Sequence, residues 1–410
     1  MRRLALSAVV ASLLAACGEP DVAATPRAAD AGRGAAPAAA GEPCADPLAE
    51  VQIAPEDRAV TTHAQNFAID YDGPYKRITV RNPWRGADFE LTHVLVPCGE
   101  PPPATSGARA IVIPAARVAT TSTTQLPHLV ALGIVDRLAG HNRLDFATEA
   151  EIRRRIDAGL VAEIGDSVRL DRESLLALRP DLVLATSIGN PELDVFAMLD
   201  RSRLPYVVDA AWTEATPLGR AEWLKFTAAF FNREAEANRL FAEIAARYEE
   251  LAALVRSVAK RPTVLVGTPF QGTWHVSGGA AYQARLIADA GGAYLWADDP
   301  TTGAIPLDFE TVYSRGLSAE VWIHPYGWSS LADGLRTDAR MADFASFRAG
   351  RVFNNDLRTN ASGGNDYWET GSLRPDLILA DLIEIFHPDL LDHELVFHRR
   401  LPPARGKPPG

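Results

Sequence analysis

The stretch Pro217–Val258, "PLGRAEWLKFTAAFFNREAEANRLFAEIAARYEELAALVRSV", is the longest helical pattern in the chain, and its position decides the fold. Pro217 suits a first helical turn, and Asn232 marks a break into two helices near "FFNREAEA". On either side the text has α/β rhythm. Before it come a buried strand "ARAIVIP", a helix "TSTTQLPHLVALGIVDRLAG", a strand "PDLVLAT", a helix "PELDVFAMLDRSR" and a strand "LPYVVDA". After it come a strand "PTVLVGT", a hairpin-like "FQGTWHVSGG", a helix "AYQARLIADAGG", strands "EVWIHP" and "GRVFNND", and a last helix "RPDLILADLIEIFHP". Continuous apolar strands alternating with helices imply parallel sheets covered on both faces. The expected fold class is therefore α/β, two doubly wound lobes joined by a long helix. A cleft between lobes joined in that way has little freedom to close.

Upstream of the first lobe, "FAIDYDGPYKRITVRNPW" and "DFELTHVLV" alternate apolar and polar residues around Asp72-Gly73-Pro74, which reads as a β-hairpin followed by another strand. This is a small N-terminal β extension. The chain begins "MRRLALSAVVASLLAACGEP", with Arg2 and Arg3 ahead of an apolar run too short to span a bilayer. It reads as a signal peptide, and its end "LAAC" resembles the bacterial lipobox, which implies lipidation of Cys17. The tract from Gly18 to about Pro47 is rich in Ala, Pro and Gly and reads as a flexible tether. The expected division is signal peptide 1–17, tether 18–47, β extension 48–107, first lobe 108–211, linking helices 212–260, and second lobe with tail 261–410. Cys44 and Cys98 remain as an even pair in an exported protein, which suggests a disulfide.

A net charge of −11 and the lack of any run of Lys and Arg argue against nucleic acid or an anionic membrane face as partner. The motifs GxSxG and HExxH, a Walker loop and a strand-borne GxGxxG are all absent. No metal-ligand spacing is present either, and no intrinsic cofactor is expected. Gly278-Gly279 ahead of a helix could present amides to an anion. What recurs is aromatic residues, with polar neighbours, in loops that leave strand ends: Trp212 and Glu214; Phe270 and Trp274; His324, Tyr326 and Trp328; Tyr367, Trp368 and Glu369. In doubly wound sheets those loops form the binding crevice. Planar side chains on four such loops suit a bulky ligand held by stacking. Glu214 and Glu369 could alternatively serve a secreted hydrolase as a carboxylate pair, and an adhesion or scaffolding lipoprotein is a third possibility.

From about Arg109 to Pro388 the text resembles the substrate-binding proteins of ABC importers for iron complexes and cobalamin, the helical-backbone class of periplasmic binding proteins. "RVATTSTTQLPHLVALG", "LALRPDLVLA", "WTEATPLGRAEWLKF", "WHVSGGAAYQARLIADAGG" and "YWETGSLRPDLILADLIEIFHPDLL" carry the likeness together. The resemblance implies a periplasmic, lipid-anchored, monomeric, non-enzymatic protein that delivers a ferric-siderophore-type chelate to a permease and its ATPase subunits. Cobalamin or another corrinoid is an alternative ligand. Haem is another, for which His128, His324 or Tyr326 could be the axial group. Cleft contacts carried over are Ser122, Thr123, His128, Ser187, Asn190, Trp274 and Trp368, and Glu173 and Glu310 fall where each lobe docks on the permease. Arginines that would clamp a strongly anionic ligand are not evident, Arg117 and Arg374 being the near candidates.

Overall fold

The structure is a computed structural model that describes residues 46–50, 52–103, 109–166, 169–187 and 195–403. The expected signal peptide, the tether up to residue 45, Cys17, Cys44 and Asn190 lie outside the described residues. Seventeen strands form four sheets among the described residues. The first sheet contains β1 (Phe67–Asp72), β2 (Tyr75–Arg81), β3 (Glu90–Pro97) and β4 (Arg109–Ile113), in that order. Asp72 pairs with Tyr75 across the expected turn, where Gly73 takes the left-handed conformation. Cys98, just beyond β3, is disulfide-bonded.

The first lobe holds β5 (Val118–Thr120), β6 (Leu138–His141), β7 (Ala162–Glu163), β8 (Leu182–Ala185) and β9 (Tyr206–Val208) in the all-parallel order β7-β6-β5-β8-β9. The second lobe is built on β10 (Thr263–Val266). A hairpin of β11 (Pro269–Phe270) and β12 (Thr273–Ser277) follows, then β13 (Ala293–Tyr294), β14 (Ala304–Leu307), β15 (Val321–Ile323), β16 (Val352–Asn354) and β17 (Arg399–Arg400). Its main sheet runs β13-β10-β15-β16-β17, parallel except for β17, and β14 joins the hairpin as a third strand. Four strands of each main sheet follow the same parallel order, β6-β5-β8-β9 and β13-β10-β15-β16, with β5 equivalent to β10 and β8 to β15, while β7 and the antiparallel β17 have no counterpart. Among the described residues, no helix is long and apolar enough to cross a membrane.

Two expectations from sequence are corrected. "ARAIVIP" does not open the first lobe: β4 pairs in parallel with β3 and ends the extension's sheet. Its alternating burial, with Val112 exposed, is that of an edge strand rather than one covered on both faces. The stretch "LAGH" is the strand β6 and not the tail of a helix. It hides its signal by packing close instead of being apolar, since a Cβ at Gly140 would lie 2.6 Å from Leu178 and 2.8 Å from Ile164.

The linking segment forms three helices, Pro217–Ala221, Trp223–Ala229 and the 21-residue Glu234–Leu254, which at 1.5 Å per residue is about 30 Å long. Thr216 caps the first through Gly219 N, and the chain breaks before the last at Asn232, in the left-handed region that asparagine tolerates. Buried carboxylates on this segment hold the extension. Glu222 accepts hydrogen bonds from the amides of Thr62, His63 and Ala64 at 2.7–3.0 Å and pairs with Lys225 at 2.8 Å. Lys76 of β2 is buried, pairs with Glu234 and donates to Ala229 O and Asn232 Oδ1. Phe67 packs on Trp223 and Phe226 at 4.8 and 5.8 Å. The extension therefore shares one core with the first lobe and the linking helices.

Glu222→Ala would leave three amides without their acceptor in a buried site and the Lys225 ammonium without a counter-charge, with Val60 O as its remaining hydrogen-bond acceptor. Urea denaturation is expected to report a loss of roughly 3–5 kcal/mol, the scale for removing one member of a buried ion pair.

Candidate functional site

The loops at the carboxyl ends of the strands of both lobes converge beside the linking helices. On the first lobe they are locked to one another through Gln125. Its side-chain oxygen accepts from Thr121 N and Ser122 N, and its amide donates to Thr186 Oγ1 and Asp209 at 3.2 Å. Burial raises the Asp209 carboxyl above its usual range. Ser122 and Thr123 are half-buried here, with the Ser122 hydroxyl engaged in capping, and Ser187 is buried.

On the second lobe, Phe270 stands 50% exposed at the hairpin tip and Tyr326 is 38% exposed after β15. Although its surface is open, the protein around the Tyr326 phenol is dense enough that burial pushes it up to about 12, against a hydrogen bond from Gln283. Gln283 ends a buried relay: His398 Nδ1 donates to Asp381 at 2.8 Å, His324 Nε2 donates to His398 Nε2 at 2.9 Å, and the Gln283 amide donates to His324 Nδ1. With the ring tautomers assigned in this way, each ring nitrogen of the relay has a partner. Burial, assisted by the neighbouring His398, holds His324 well below the ordinary histidine value.

Between the lobes lie Trp212 and Arg220. The Arg220 guanidinium sits 3.9 Å from the centre of the Tyr282 ring and donates to Trp212 O and Glu214 O at 2.9 and 3.4 Å. Among the described residues its Nε has no hydrogen-bond partner, nor does the indole nitrogen of Trp212. Burial lowers Arg220 from its ordinary value.

Several residues expected in the crevice lie elsewhere. Trp274 is fully buried, donates to Val266 O at 3.0 Å and stacks on Trp322 at 5.5 Å, so it is core. Trp328 is buried on Trp322 at 5.1 Å. His128 is buried against Thr227 Oγ1 at 2.8 Å, and His324 is held by the relay, so neither is open to a metal. Glu214 accepts from Gln65 N, Asn66 N and Trp223 Nε1 at 2.9–3.2 Å and anchors the extension. Glu369 accepts from Thr148 N and Glu149 N at 2.8 and 2.9 Å and ties the second lobe to the first. Tyr367 is buried against His324 and His398, and Trp368 is half-buried against Tyr367. The Gly278-Gly279 pair serves packing, because side chains there would collide with the backbone at Thr301 and Ala297. Arg117 donates to Leu178 O and Arg374 pairs with Asp376 at 2.7 Å, so neither is the crevice cation.

Arg220, Tyr282 and Gln283 were not singled out by sequence, since an arginine in a first helical turn and polar residues after a glycine pair are common. Among the described residues no three His, Cys, Asp or Glu side chains gather as a metal site. A recess of about 310 Å³ beneath the long helix, lined by Val130, Leu224, Leu240, Ile244, Leu373 and neighbours, is separate from this crevice.

Residues 118–359 match the periplasmic binding protein family. An uncharacterized lipoprotein of Methanocaldococcus jannaschii is 26% identical over 242 residues, 58% of this chain and 56% of that protein. The chain thus matches little more than half the length of that relative. The fold is similar to a possible iron-binding periplasmic solute-binding protein from Staphylococcus epidermidis. That match has a TM-score of 0.53 and 17% identity, covering 67% of this chain and 99% of the other. It is also similar to a periplasmic heme binding protein from Pseudomonas aeruginosa, with a TM-score of 0.54 and 18% identity over 69% and 97% of the two chains. The family match covers more than half of the sequence, and the chain belongs to the periplasmic binding protein family.

Two outcomes follow from these placements. Trp274→Ala is expected to cost about 3–5 kcal/mol in urea denaturation, as for other buried large-to-small changes, because the ring fills the second lobe's core. Glu369 is raised to about 7, by burial first, against its two amide donors. A carboxyl whose folded value exceeds its unfolded one contributes stability fully below about 4.5, and that contribution is lost as pH rises through about 7. Melting temperatures measured from pH 4.5 to 8 should show this component in the wild type, and Glu369→Gln should remove it.

Proposed function

We propose that this chain, as a periplasmic binding protein, captures a bulky metal chelate of the ferric-siderophore type between its lobes and hands it to an ABC permease. The observation that carries the reading is Arg220 between the lobes, bonded to the Trp212 carbonyl and set over the Tyr282 ring, with no ion pair among the described residues, while Phe270 and Tyr326 expose aromatic surface on loops of the second lobe. Stacking surface beside an unneutralised cation suits a large ligand with anionic oxygens. A linking helix about 30 Å long and the Glu369 tie keep the lobes in register, so affinity comes from preorganisation. The hydrolase reading is not favoured, because Glu214 and Glu369 both spend their carboxylate oxygens on buried amides of opposite parts of the molecule. Haem is the second reading, for which Tyr326, part-exposed on the loop after β15, would be the iron ligand. The expected lipid anchor at Cys17, and a Cys44–Cys98 disulfide holding the start of the folded region, would keep the protein at the membrane face where a permease waits.

Glu173 and Glu310 are the proposed docking groups. Each is exposed, each is the second residue of a helix capped by an aspartate, Asp171 or Asp308, and each helix feeds an equivalent strand, β8 or β15. Because a helix runs antiparallel to the strand it feeds, both first turns face the edge that carries the crevice loops.

The ligand is tested by following the visible spectrum and melting temperature of the purified protein with ferric siderophores, haemin and cyanocobalamin. A ferric siderophore is expected to raise the melting temperature, and no response to any of the three would refute the chelate reading. In whole cells, Glu173→Lys combined with Glu310→Lys is expected to abolish uptake while purified protein keeps its ligand affinity, since rim charges govern encounter with the partner and not the crevice.

A further inference from the structure

The β extension does more than cover the first lobe. Its turn between β2 and β3 touches both lobes. Trp84 lies parallel to Phe196 of the first lobe at 5.9 Å, and Phe196 stacks in turn on Tyr206 at 5.5 Å. The next residue, Arg85, has its guanidinium 5.6 Å from the centre of the Trp212 ring. On its other side it meets the second lobe at Gly303, where any side chain would collide with the guanidinium. One residue of the turn therefore rests on the first lobe and the next touches both the crevice floor and the second lobe.

Arg85 makes no ion pair among the described residues, and neither does Arg220. The nearest carboxylate, Glu214, is occupied by Gln65, Asn66 and Trp223. Two guanidinium groups thus flank Trp212, one above its ring and one bonded to its carbonyl, with the Trp212 indole nitrogen and Arg220 Nε unpartnered beside them. Both arginines are lowered from their ordinary value by burial, and the Arg85 charge adds to the effect at Arg220. Like charges held at one site without a counter-charge raise the energy of the empty crevice, and an anion entering between them lowers it. Planar forked donors are matched to carboxylate oxygens in particular.

We propose that the turn 82–87 is a wall of the ligand crevice and that Arg85 and Arg220 together clamp the carboxylate oxygens of the bound molecule. The proposal deepens the chelate reading above and names the ligand's chemistry: carboxylates at the rim of a bulky complex, whether from a citrate-type siderophore or from haem propionates. The extension then sets specificity, because it supplies one arm of the clamp while the linking helices supply the other.

Isothermal calorimetry with metal-free citrate tests the clamp apart from the metal. Wild type should bind citrate saturably, Arg85→Ala should weaken it roughly tenfold or more, and Arg77→Ala, which removes an exposed charge from the same sheet, should leave it unchanged. No citrate binding by wild type, equal binding by Arg85→Ala, or equal losses in both variants would overturn the clamp. Parallel titrations with ferric citrate, haemin and a neutral ferric hydroxamate identify the source of the carboxylates, since the clamp requires that Arg85→Ala weaken the carboxylate-bearing probes and spare the neutral one. Chelates that bind wild type and Arg85→Ala equally would sink the clamp and leave the chelate reading standing. Citrate binding without any chelate binding would do the reverse. Arg85 is exposed on a turn, so the variant's melting temperature should match wild type.

Discussion

The Glu214 carboxylate is the joint on which the arrangement turns. Its oxygens gather the amides of Gln65 and Asn66, almost 150 residues upstream, and the indole N–H of Trp223. Its own backbone carbonyl, with that of Trp212, receives the Arg220 guanidinium. One buried side chain thus fixes the start of β1, the first turns of the linking helices and the crevice floor relative to one another. A buried carboxylate is costly unless it is fully hydrogen-bonded, and here the bonds that satisfy it are the ones that position the site.

The same device recurs at other joins. Glu222 collects the amides of residues 62–64, and Glu369 collects those of Thr148 and Glu149 from the opposite lobe. Asp381 collects the amides of Val396, Phe397 and His398, which folds the C-terminal segment back so that β17 pairs with β16. From Asp381 the relay through His398 and His324 orients Gln283 and, beside it, Tyr326. Glu214, Glu222 and Glu369 each join segments about 150 or more residues apart, so the framework around the crevice is set by the fold before any ligand arrives. That supports the proposal of capture by a preformed site rather than by closure.

The framework was legible in the sequence where local signals suffice. Apolar runs located β8 and β9 of the first lobe and β10, β15 and β16 of the second, while the short β5, β6 and β7 carried no such run, and Asn232 betrayed the helix break because few residues tolerate its backbone conformation. The site was less legible, because a loop aromatic can face either way and only tertiary packing decides. Trp212 and Trp274 both follow strand segments with polar neighbours, yet one is half open at the floor and the other sealed beneath Trp322. Glu214 and Glu369 looked like ligand groups because they stand beside aromatics, and their true partners are backbone amides that no sequence pattern marks. Arg85 and Arg220 left no trace either: one lies in a turn after "RNPW", the other in a helix's first turn, and their meeting around Trp212 exists only in three dimensions.

The central claim is that a metal chelate sits between the lobes against Trp212, Arg220 and Tyr326. Crystals of the protein grown with a ferric carboxylate siderophore and measured at the iron absorption edge test it most directly. The account predicts one strong anomalous peak in the crevice, enclosed by these three residues and the turn 82–87. Anomalous density only at surface carboxylates, or none from a chelate shown to be bound in the same crystals, would contradict it.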